Sequence, residues 1–143
     1  MWNRLRRQNR RIFLIDDDAG FCKIMASFAK SRGIQLDCFS SLQDVGASGG
    51  LSGYMAAIVD FDLGQMNGVD IAEYLSAFMG GLPTVLISGR DRKRDTGRTW
   101  PICIESFIHK DQGPDAILDA ATNIRKEKTP RPTRLRVKSV AVS

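Results

Sequence analysis

Aspartates follow two short apolar segments of this sequence, at the point where each segment ends. Three follow residues 12–15 and two follow residues 55–59, and they are Asp16, Asp17, Asp18, Asp60 and Asp62. Two other apolar segments lead to a hydroxyl at Ser88 and an ammonium at Lys110. Carboxylate oxygens bind Mg²⁺, which commonly bridges protein carboxylates to phosphate oxygens. These residue types could therefore form a site for a divalent cation that bridges to phosphate oxygens.

The carboxylates need a positive partner if they meet. Two like charges about 4 Å apart repel by roughly 4 kcal/mol at an effective dielectric constant near 20, so Asp16, Asp17 and Asp60 could not gather without a cation. Mg²⁺ or Mn²⁺ suits an all-oxygen ligand set with open positions. The simpler alternative is that these acids only cap helices, as we expect of Asp18 for the first helix. The polar residues at the ends of the other apolar segments favour the shared site.

The elements that must position these residues are short strands that alternate with helices over residues 12–126. Strands are predicted over residues 12–15, 34–39, 55–59, 84–87 and 106–109, of which 34–39 alternates only weakly and 106–109 is brief. Strands that are almost wholly apolar and separated by helices indicate a parallel sheet with helices on both faces, in a doubly wound α/β fold. Ligands of such sheets bind at the carboxyl ends of the strands, so the residues after each strand are expected to meet at one edge.

Helices are predicted between the strands, and apolar residues at helical spacing mark the core-facing sides of three of them. These residues are Phe21, Ile24, Met25 and Phe28 in the first helix, Ile71, Tyr74, Leu75 and Phe78 in the third, and Ile117, Leu118, Ala121 and Ile124 in the last. The second helix, over residues 42–47, is short. Residues 90–98 are dense in charge and indicate at most a marginal, solvated helix.

Charge divides the chain into an acidic centre and two basic ends. Residues 1–11 carry about +5 and residues 125–143 about +6, so the formal net charge of +5 leaves about −6 for the residues between them. A nucleic-acid-binding fold would carry its positive charge on a structured face, which argues against that class for the centre. We predict a basic N-terminal segment over 1–11, a globular domain over 12–126 and a basic, disordered tail over 127–143.

Cysteine content indicates a protein of a reducing compartment, and hydropathy indicates that it does not span a membrane. Cys22, Cys38 and Cys103 are widely spaced and odd in number, so buried free thiols are expected and not disulfides or a thiolate metal site. No apolar stretch approaches the roughly 20 residues that a membrane-spanning helix needs, and no signal-peptide core follows the basic start. We therefore expect a cytoplasmic protein with no membrane contact.

Receiver domains of bacterial two-component response regulators, the CheY-like family, are what these strand-end residues resemble. The matching residues, in order along the chain, are Asp16, Asp17, Asp60, Ser88 and Lys110. Residues 60–68 also resemble the family's loop after the phosphoacceptor, and Phe107 falls where the family has its switch aromatic. The resemblance covers about residues 12–126. It implies a flavodoxin-like, five-stranded parallel sheet in the order 2-1-3-4-5.

The resemblance implies a role for each of these residues. Asp60 would accept the phosphoryl group, and Ser88 and Lys110 would contact its oxygens. The Mg²⁺ ligands would be Asp16, Asp17, Asp60 and the backbone carbonyl of Asp62. Ser88 would then draw its loop inward and leave room for Phe107 to turn. The protein would be a switch and not an enzyme, with only self-phosphorylation and self-dephosphorylation as its chemistry.

Two alternatives stay open. Gly64 stands where the family often has proline, and Asp111 follows Lys110 where proline is usual, so a degenerate receiver that only binds proteins is the first. The second is a haloacid-dehalogenase-like phosphohydrolase, because the Asp-Phe-Asp segment at residues 60–62 resembles that family's nucleophile and acid/base pair. That family has this motif near its first strand and needs further acids late in the chain, whereas here an acidic triplet precedes it.

The partners that the resemblance implies are a sensor histidine kinase or a histidine phosphotransfer protein as donor, and a downstream protein. The downstream protein would bind the face formed by the helix over residues 90–98, the fifth strand and the helix that Pro114 opens. The basic ends could add weak, salt-dependent contact with nucleic acid. Asp62 and Arg90 are also predicted to form a partial lid that slows attack by water. A monomer or a phosphorylation-dependent dimer is expected.

Overall fold

Five strands form one parallel sheet in the computed structural model of this chain, which describes residues 10–47, 53–63, 66–79, 82–89 and 103–123. The strands are β1 (Arg11–Ile15), β2 (Gln35–Phe39), β3 (Ala56–Asp60), β4 (Thr84–Ser88) and β5 (Ile104–His109). Their order across the sheet is β2-β1-β3-β4-β5, and all neighbours are parallel. The predicted fold class, strand number and strand order are confirmed, and strand boundaries differ from the predicted ones by no more than two residues.

Helices connect the strands of this sheet. They are α1 (Ala19–Ser31), α2 (Leu42–Ala47), α3 (Gly68–Met79) and α4 (Pro114–Thr122). A short antiparallel hairpin, Asp62–Leu63 paired with Met66–Asn67, follows β3, and a single 3₁₀ turn, Lys110–Gln112, follows β5. The hairpin was not predicted, because two-residue strands are too short to produce a periodic pattern in the sequence.

Several predictions concern residues outside the described ranges. They include the helix over residues 90–98, the basic segment up to residue 9 and the tail from residue 127. The same holds for the packing of the predicted core residues Leu75, Phe78 and Ile124. In the part of the chain that is described, no helix has the length and apolar character to cross a membrane.

Local sequence signals determine where two of the helices begin and one ends. Asp18 caps α1 as predicted, since its Oδ1 accepts a hydrogen bond from the Phe21 N–H at 3.1 Å. Gly33, with φ +71°, ends the same helix in a left-handed conformation that glycine adopts readily. Pro114 begins α4, where the missing N–H of proline has no consequence. The helix after β1 is thereby held next to the acidic residues that follow this strand.

Alternate residues of the strands pack into two cores, one on each face of the sheet. The α1/α4 core contains Ile12, Leu14, Ile58, Val85 and Ile87 with Met25, Ala29, Ile117, Leu118 and Ala121. The α2/α3 core contains Phe13, Ile15, Val59, Phe61 and Leu86 with Val45 and Ile71. Successive side chains of a strand point to opposite faces, so a wholly apolar strand fills both cores. The central strands β1, β3 and β4 are therefore rigid supports for the residues at their ends.

The side that α1 presents to the sheet is narrower than predicted. Met25 and Ala29, one turn apart, are buried, whereas Ile24 and Phe28 are 50% and 39% exposed. Each residue advances a helix by about 100°. Burying the stripe of Met25 and Ala29 therefore turns the residues just before them toward solvent, and the small side chain of Ala29 lets the helix lie close to the sheet.

Two other residues predicted to be buried are exposed. Tyr74 of α3 is 47% exposed, because this helix packs through Ile71 and Ala72 and turns Tyr74 away from the sheet. Cys38 is exposed because it lies on β2, one of the two edge strands of the sheet. Cys103 is buried as predicted, and all the cysteines are free thiols.

Arg32, directly after α1, joins that helix to α4. Its guanidinium lies 3.0 Å from Asp115 Oδ1 and 2.5 Å from Asp119 Oδ1. Both acids are largely exposed, so solvent weakens the attraction, although one cation shared by two acids forms a small network. We expect Arg32→Ala to lower the free energy of unfolding by about 1 kcal/mol in urea denaturation.

The matched control for this prediction is Lys30→Ala, which removes an exposed cation from the last turn of α1, two residues before Arg32. It should change the free energy of unfolding by less than about 0.5 kcal/mol. Equal stability of the two variants would show that the contacts of Arg32 contribute nothing beyond its charge.

Candidate functional site

The polar residues that end the predicted strands lie together at the carboxyl edge of the sheet. Asp16 follows β1, Asp60 ends β3, Ser88 ends β4 and Lys110 follows β5. Neighbouring strands are parallel and paired residue by residue, so their ends lie at similar levels. The structure thus brings the predicted site residues of four strands to one rim.

Three carboxylates form a cluster at this rim. Oxygens of Asp16, Asp17 and Asp60 all lie within 4.8 Å of one another. Asp16 and Asp60 are 2% and 4% exposed, while Asp17 is open to solvent. Oxygen donors at this spacing, with one side accessible to water, suit Mg²⁺, which binds through one or two carboxylates and keeps several waters. The residues present therefore fit the predicted ion.

Backbone hydrogen bonds orient the two buried carboxylates. The Asp18 N–H donates to Asp16 Oδ1 at 2.9 Å, and the Asp62 N–H donates to Asp60 Oδ1 at 3.1 Å. In both cases the donor lies two residues after the acid, which is the geometry of an Asx turn. The other oxygen of each acid, Oδ2, faces the ammonium of Lys110.

Lys110 supplies positive charge to the carboxylate cluster. Its Nζ lies 2.7 Å from Asp16 Oδ2, 3.7 Å from Asp60 Oδ2 and 4.4 Å from the centre of the Phe21 ring. Burial lowers the pKa of Lys110, but the hydrogen bond and charge of Asp16, together with the charge of Asp60, outweigh it and raise the pKa above its usual value. The lysine is therefore cationic at neutral pH.

Asp60 holds its proton more tightly than an ordinary aspartate. Burial, and then the negative charge of Asp16, raise the pKa of Asp60 to about 7. The positive charge of Lys110 lowers this pKa, and the negative charge of the exposed Asp17 raises it by a smaller amount. A divalent cation at the cluster would favour the ionised carboxylate, which is the nucleophilic form.

Ser88 and Asp62 are joined by a hydrogen bond. Ser88 is fully buried, and its Oγ donates to Asp62 Oδ2 at 2.8 Å. The sequence indicated Asp62 through its backbone carbonyl and as part of a lid, so this side-chain contact was missed. The two residues are 26 positions apart, on β4 and on the hairpin after β3, and no local pattern reveals such a contact. Arg90, the other predicted lid residue, lies outside the described residues.

The predicted switch aromatic, Phe107, packs against Phe61. The two rings are stacked, with centroids 5.5 Å apart and an angle of 23° between their planes. Phe61 is buried, and Phe107 is half-buried at the margin of the α2/α3 core. Neither Phe61 nor Phe21 was among the predicted site residues. The only sequence signal for Phe61 is its position next to Asp60.

Asp111, which departs from the family pattern after Lys110, is exposed to solvent. Its side chain is 86% exposed, and its Oδ2 lies 3.5 Å from His109 Nδ1. The Asp111 N–H donates to the same nitrogen at 3.1 Å, so the imidazole caps the 3₁₀ turn. Solvent screens the charge of Asp111. Gly64, the other departure, lies outside the described residues.

The sequence matches a known family over most of its length. Residues 12–122 match the response regulator receiver domain. The response regulator protein TmoT of Ectopseudomonas mendocina is 33% identical over an alignment of 88 positions, which covers 57% of this chain and 37% of that protein. The chain thus spans about a third of the length of the curated relatives it matches.

Solved structures share the fold at low sequence identity. The receiver domain protein (CheY-like) from Methanospirillum hungatei JF-1 gives a TM-score of 0.65 at 15% identity, over 92% of this chain and 99% of that one. A response regulator protein from Burkholderia pseudomallei with a phosphorylated aspartic acid, calcium ion and citrate gives a TM-score of 0.63 at 15% identity. This match covers 94% of this chain and 75% of that one. These likenesses confirm the flavodoxin-like fold. Given the family match over residues 12–122, the chain belongs to the response regulator receiver domains.

Proposed function

We propose that this chain is a two-component phosphoacceptor that receives a phosphoryl group on Asp60 in a Mg²⁺-dependent reaction. The observation that carries the proposal is the environment of Asp60, a buried carboxylate 3.7 Å from the Lys110 ammonium. Its oxygens lie within 4.8 Å of those of Asp16 and Asp17. Phosphoryl transfer depends on a positioned nucleophile and on charge stabilisation, and both features are present around this side chain.

Transfer would move the phosphoryl group from a phosphohistidine nitrogen to an oxygen of Asp60. The carboxylate oxygen attacks phosphorus in line with the leaving imidazole, so that the P–N bond breaks as the P–O bond forms. Lys110 would hold one equatorial oxygen, and the Ser88 hydroxyl would donate to another. Bound Mg²⁺ would neutralise further charge, with Asp16, Asp17, Asp60 and the Asp62 backbone carbonyl as its proposed ligands.

The donor would be a sensor histidine kinase or a histidine phosphotransfer protein, as the family implies. The phosphorylated aspartic acid and the calcium ion of the Burkholderia pseudomallei regulator support both the nucleophile and the cation by analogy. Beyond self-phosphorylation and self-dephosphorylation, no catalytic turnover is proposed.

The output would be a change in a partner-binding face. Phe107 lies on β5, so a turn of its ring would alter the surface formed by β5, α4 and the helix predicted over residues 90–98. A downstream protein would bind this surface in one of the two states, which shifts the balance between them.

Intact-mass spectrometry after incubation with acetyl phosphate tests the proposal. We expect one addition of roughly 80 Da to the wild type in Mg²⁺, and none in EDTA or in Asp60→Asn, because the ion and the nucleophile are both required. Asp44→Asn is the matched control, since Asp44 is an exposed aspartate away from the carboxylate cluster. It should accept the phosphoryl group as the wild type does.

Two other results would contradict the proposal. No addition to the wild type, with no Mg²⁺ binding in titration calorimetry, would favour a degenerate receiver that only binds proteins. Rapid release of phosphate from varied phosphomonoesters would favour the hydrolase. That reaction would need the Asp62 carboxylate as acid and base, whereas this carboxylate accepts the hydrogen bond of Ser88.

A further inference from the structure

The two residues that follow Asp60 contact the two predicted switch residues. Asp62 Oδ2 accepts the hydrogen bond of Ser88 Oγ at 2.8 Å, and the Phe61 ring stacks on Phe107. Ser88 and Phe61 are both buried, so water has little access to either contact. A group attached to Asp60 would therefore lie within two residues of both contacts.

The hydrogen bond to Asp62 uses the one proton that the Ser88 hydroxyl can donate. A serine hydroxyl carries a single hydrogen, so donation to the Asp62 carboxylate and donation to a phosphoryl oxygen on Asp60 exclude each other. An ionised acceptor makes a stronger hydrogen bond than a neutral one. Ser88 must therefore give up a strong contact before it can bind the phosphoryl group.

We propose that the Asp62 side chain is a positioning residue that competes with the phosphoryl group for Ser88 and so favours the unphosphorylated state. This inference rests on the proposed function and adds to it the element that opposes the switch. Asp62 acts through the serine and does not touch the phosphorus. Its backbone N–H, which donates to Asp60 Oδ1 at 3.1 Å, is retained when the side chain is replaced.

The affinity for beryllofluoride, a phosphoryl analogue, tests the competition without a donor protein. Titration calorimetry in Mg²⁺ compares the wild type, Asp62→Ala, Ser88→Ala and the double variant. We expect Asp62→Ala to bind about 10-fold more tightly than the wild type, because the hydroxyl is released. In the Ser88→Ala background the same replacement should change the affinity by less than about 2-fold.

Two further variants separate charge from hydrogen bonding. Glu73→Ala removes an exposed acid from α3 and should leave the affinity unchanged. Asp62→Asn removes the charge but retains an acceptor oxygen, so its affinity should lie between those of the wild type and Asp62→Ala. Equal tightening by Asp62→Ala with and without Ser88 would overturn the proposal, because the charge of Asp62 would then act through space. An Asp62→Ala affinity equal to that of the wild type would also overturn it.

Amide hydrogen exchange distinguishes a failure of this inference from a failure of the proposed function. If no variant binds beryllofluoride and none is phosphorylated, the proposed function is wrong. The contact between Ser88 and Asp62 can still be tested in the unligated protein, where Asp62→Ala should speed exchange in residues 84–89 several-fold. Unchanged exchange there would overturn the inference on its own.

Discussion

Lys110→Met is expected to slow phosphoryl transfer to Asp60 by a factor of about 100. The Lys110 ammonium lies 2.7 Å from Asp16 Oδ2 and 3.7 Å from Asp60 Oδ2. Methionine keeps most of the side-chain length but carries no charge, so the contact of the ammonium with the Phe21 ring is also lost. The phosphoryl oxygens would then lose a cation in a site where water screens little. The initial rate of labelling by acetyl phosphate in excess Mg²⁺, followed by intact mass, measures the loss.

Lys23→Met is the matched control for this variant, because Lys23 is an exposed lysine on α1. It should be labelled at the wild-type rate. The charge of Lys110 lowers the pKa of Asp60, so in metal-free Lys110→Met this pKa should be higher than in the metal-free wild type. Wild-type rates in Lys110→Met would contradict the role proposed for the lysine.

Asp60→Asn is expected to stabilise the metal-free protein at pH 8 by roughly 2 kcal/mol. The pKa of Asp60 is raised to about 7 in the folded protein, from an ordinary value of 3.8. Above pH 7, folding must bury a charged carboxylate beside Asp16. As the pH falls from 7 toward 4, the folded protein binds a proton that the unfolded chain does not, so the wild type gains stability and the difference disappears near pH 4. Urea denaturation of both proteins in EDTA between pH 4 and 8 measures this difference in the free energy of unfolding.

Mg²⁺ should reverse the order of stability. An ion that binds only the folded protein adds about 2.7 kcal/mol at 100 times its dissociation constant, and Asp60→Asn lacks one of the proposed ligands. Glu105→Gln, which neutralises an exposed acid on β5, is the control and should show no such dependence on pH or Mg²⁺. If metal-free Asp60→Asn were less stable than the wild type at pH 8, the charged carboxylate of Asp60 would not be destabilised by its surroundings.

The carboxyl edge of the sheet could be predicted because its sequence signals are local. A short apolar segment followed by a polar residue indicates the end of a buried strand, and parallel strands bring their ends to one edge. Asp16, Asp60, Ser88 and Lys110 could therefore be assigned to a common site from sequence, although their distances could not. The α/β fold followed from the same strand and helix pattern.

Contacts between side chains on distant elements could not be predicted. The bond from Ser88 to Asp62 depends on the path of the hairpin and on two rotamers, which periodicity does not specify. The rotation of α1 is a similar case, because Ile24 and Met25 are equally apolar and only the shape of the sheet surface decides which is buried. Sequence patterns identify the period of a helix more surely than its orientation.

The side chains of the candidate site belong to two faces of the sheet. Alternation along the strands puts Asp60 on the side of the α1/α4 core and Ser88 on the side of the α2/α3 core. Lys110 and Phe21 belong to the first side, and Phe107 to the second. A substitution in the α1/α4 core is therefore expected to disturb the surroundings of Asp60 and Lys110 first, and one in the α2/α3 core those of Ser88 and Phe107.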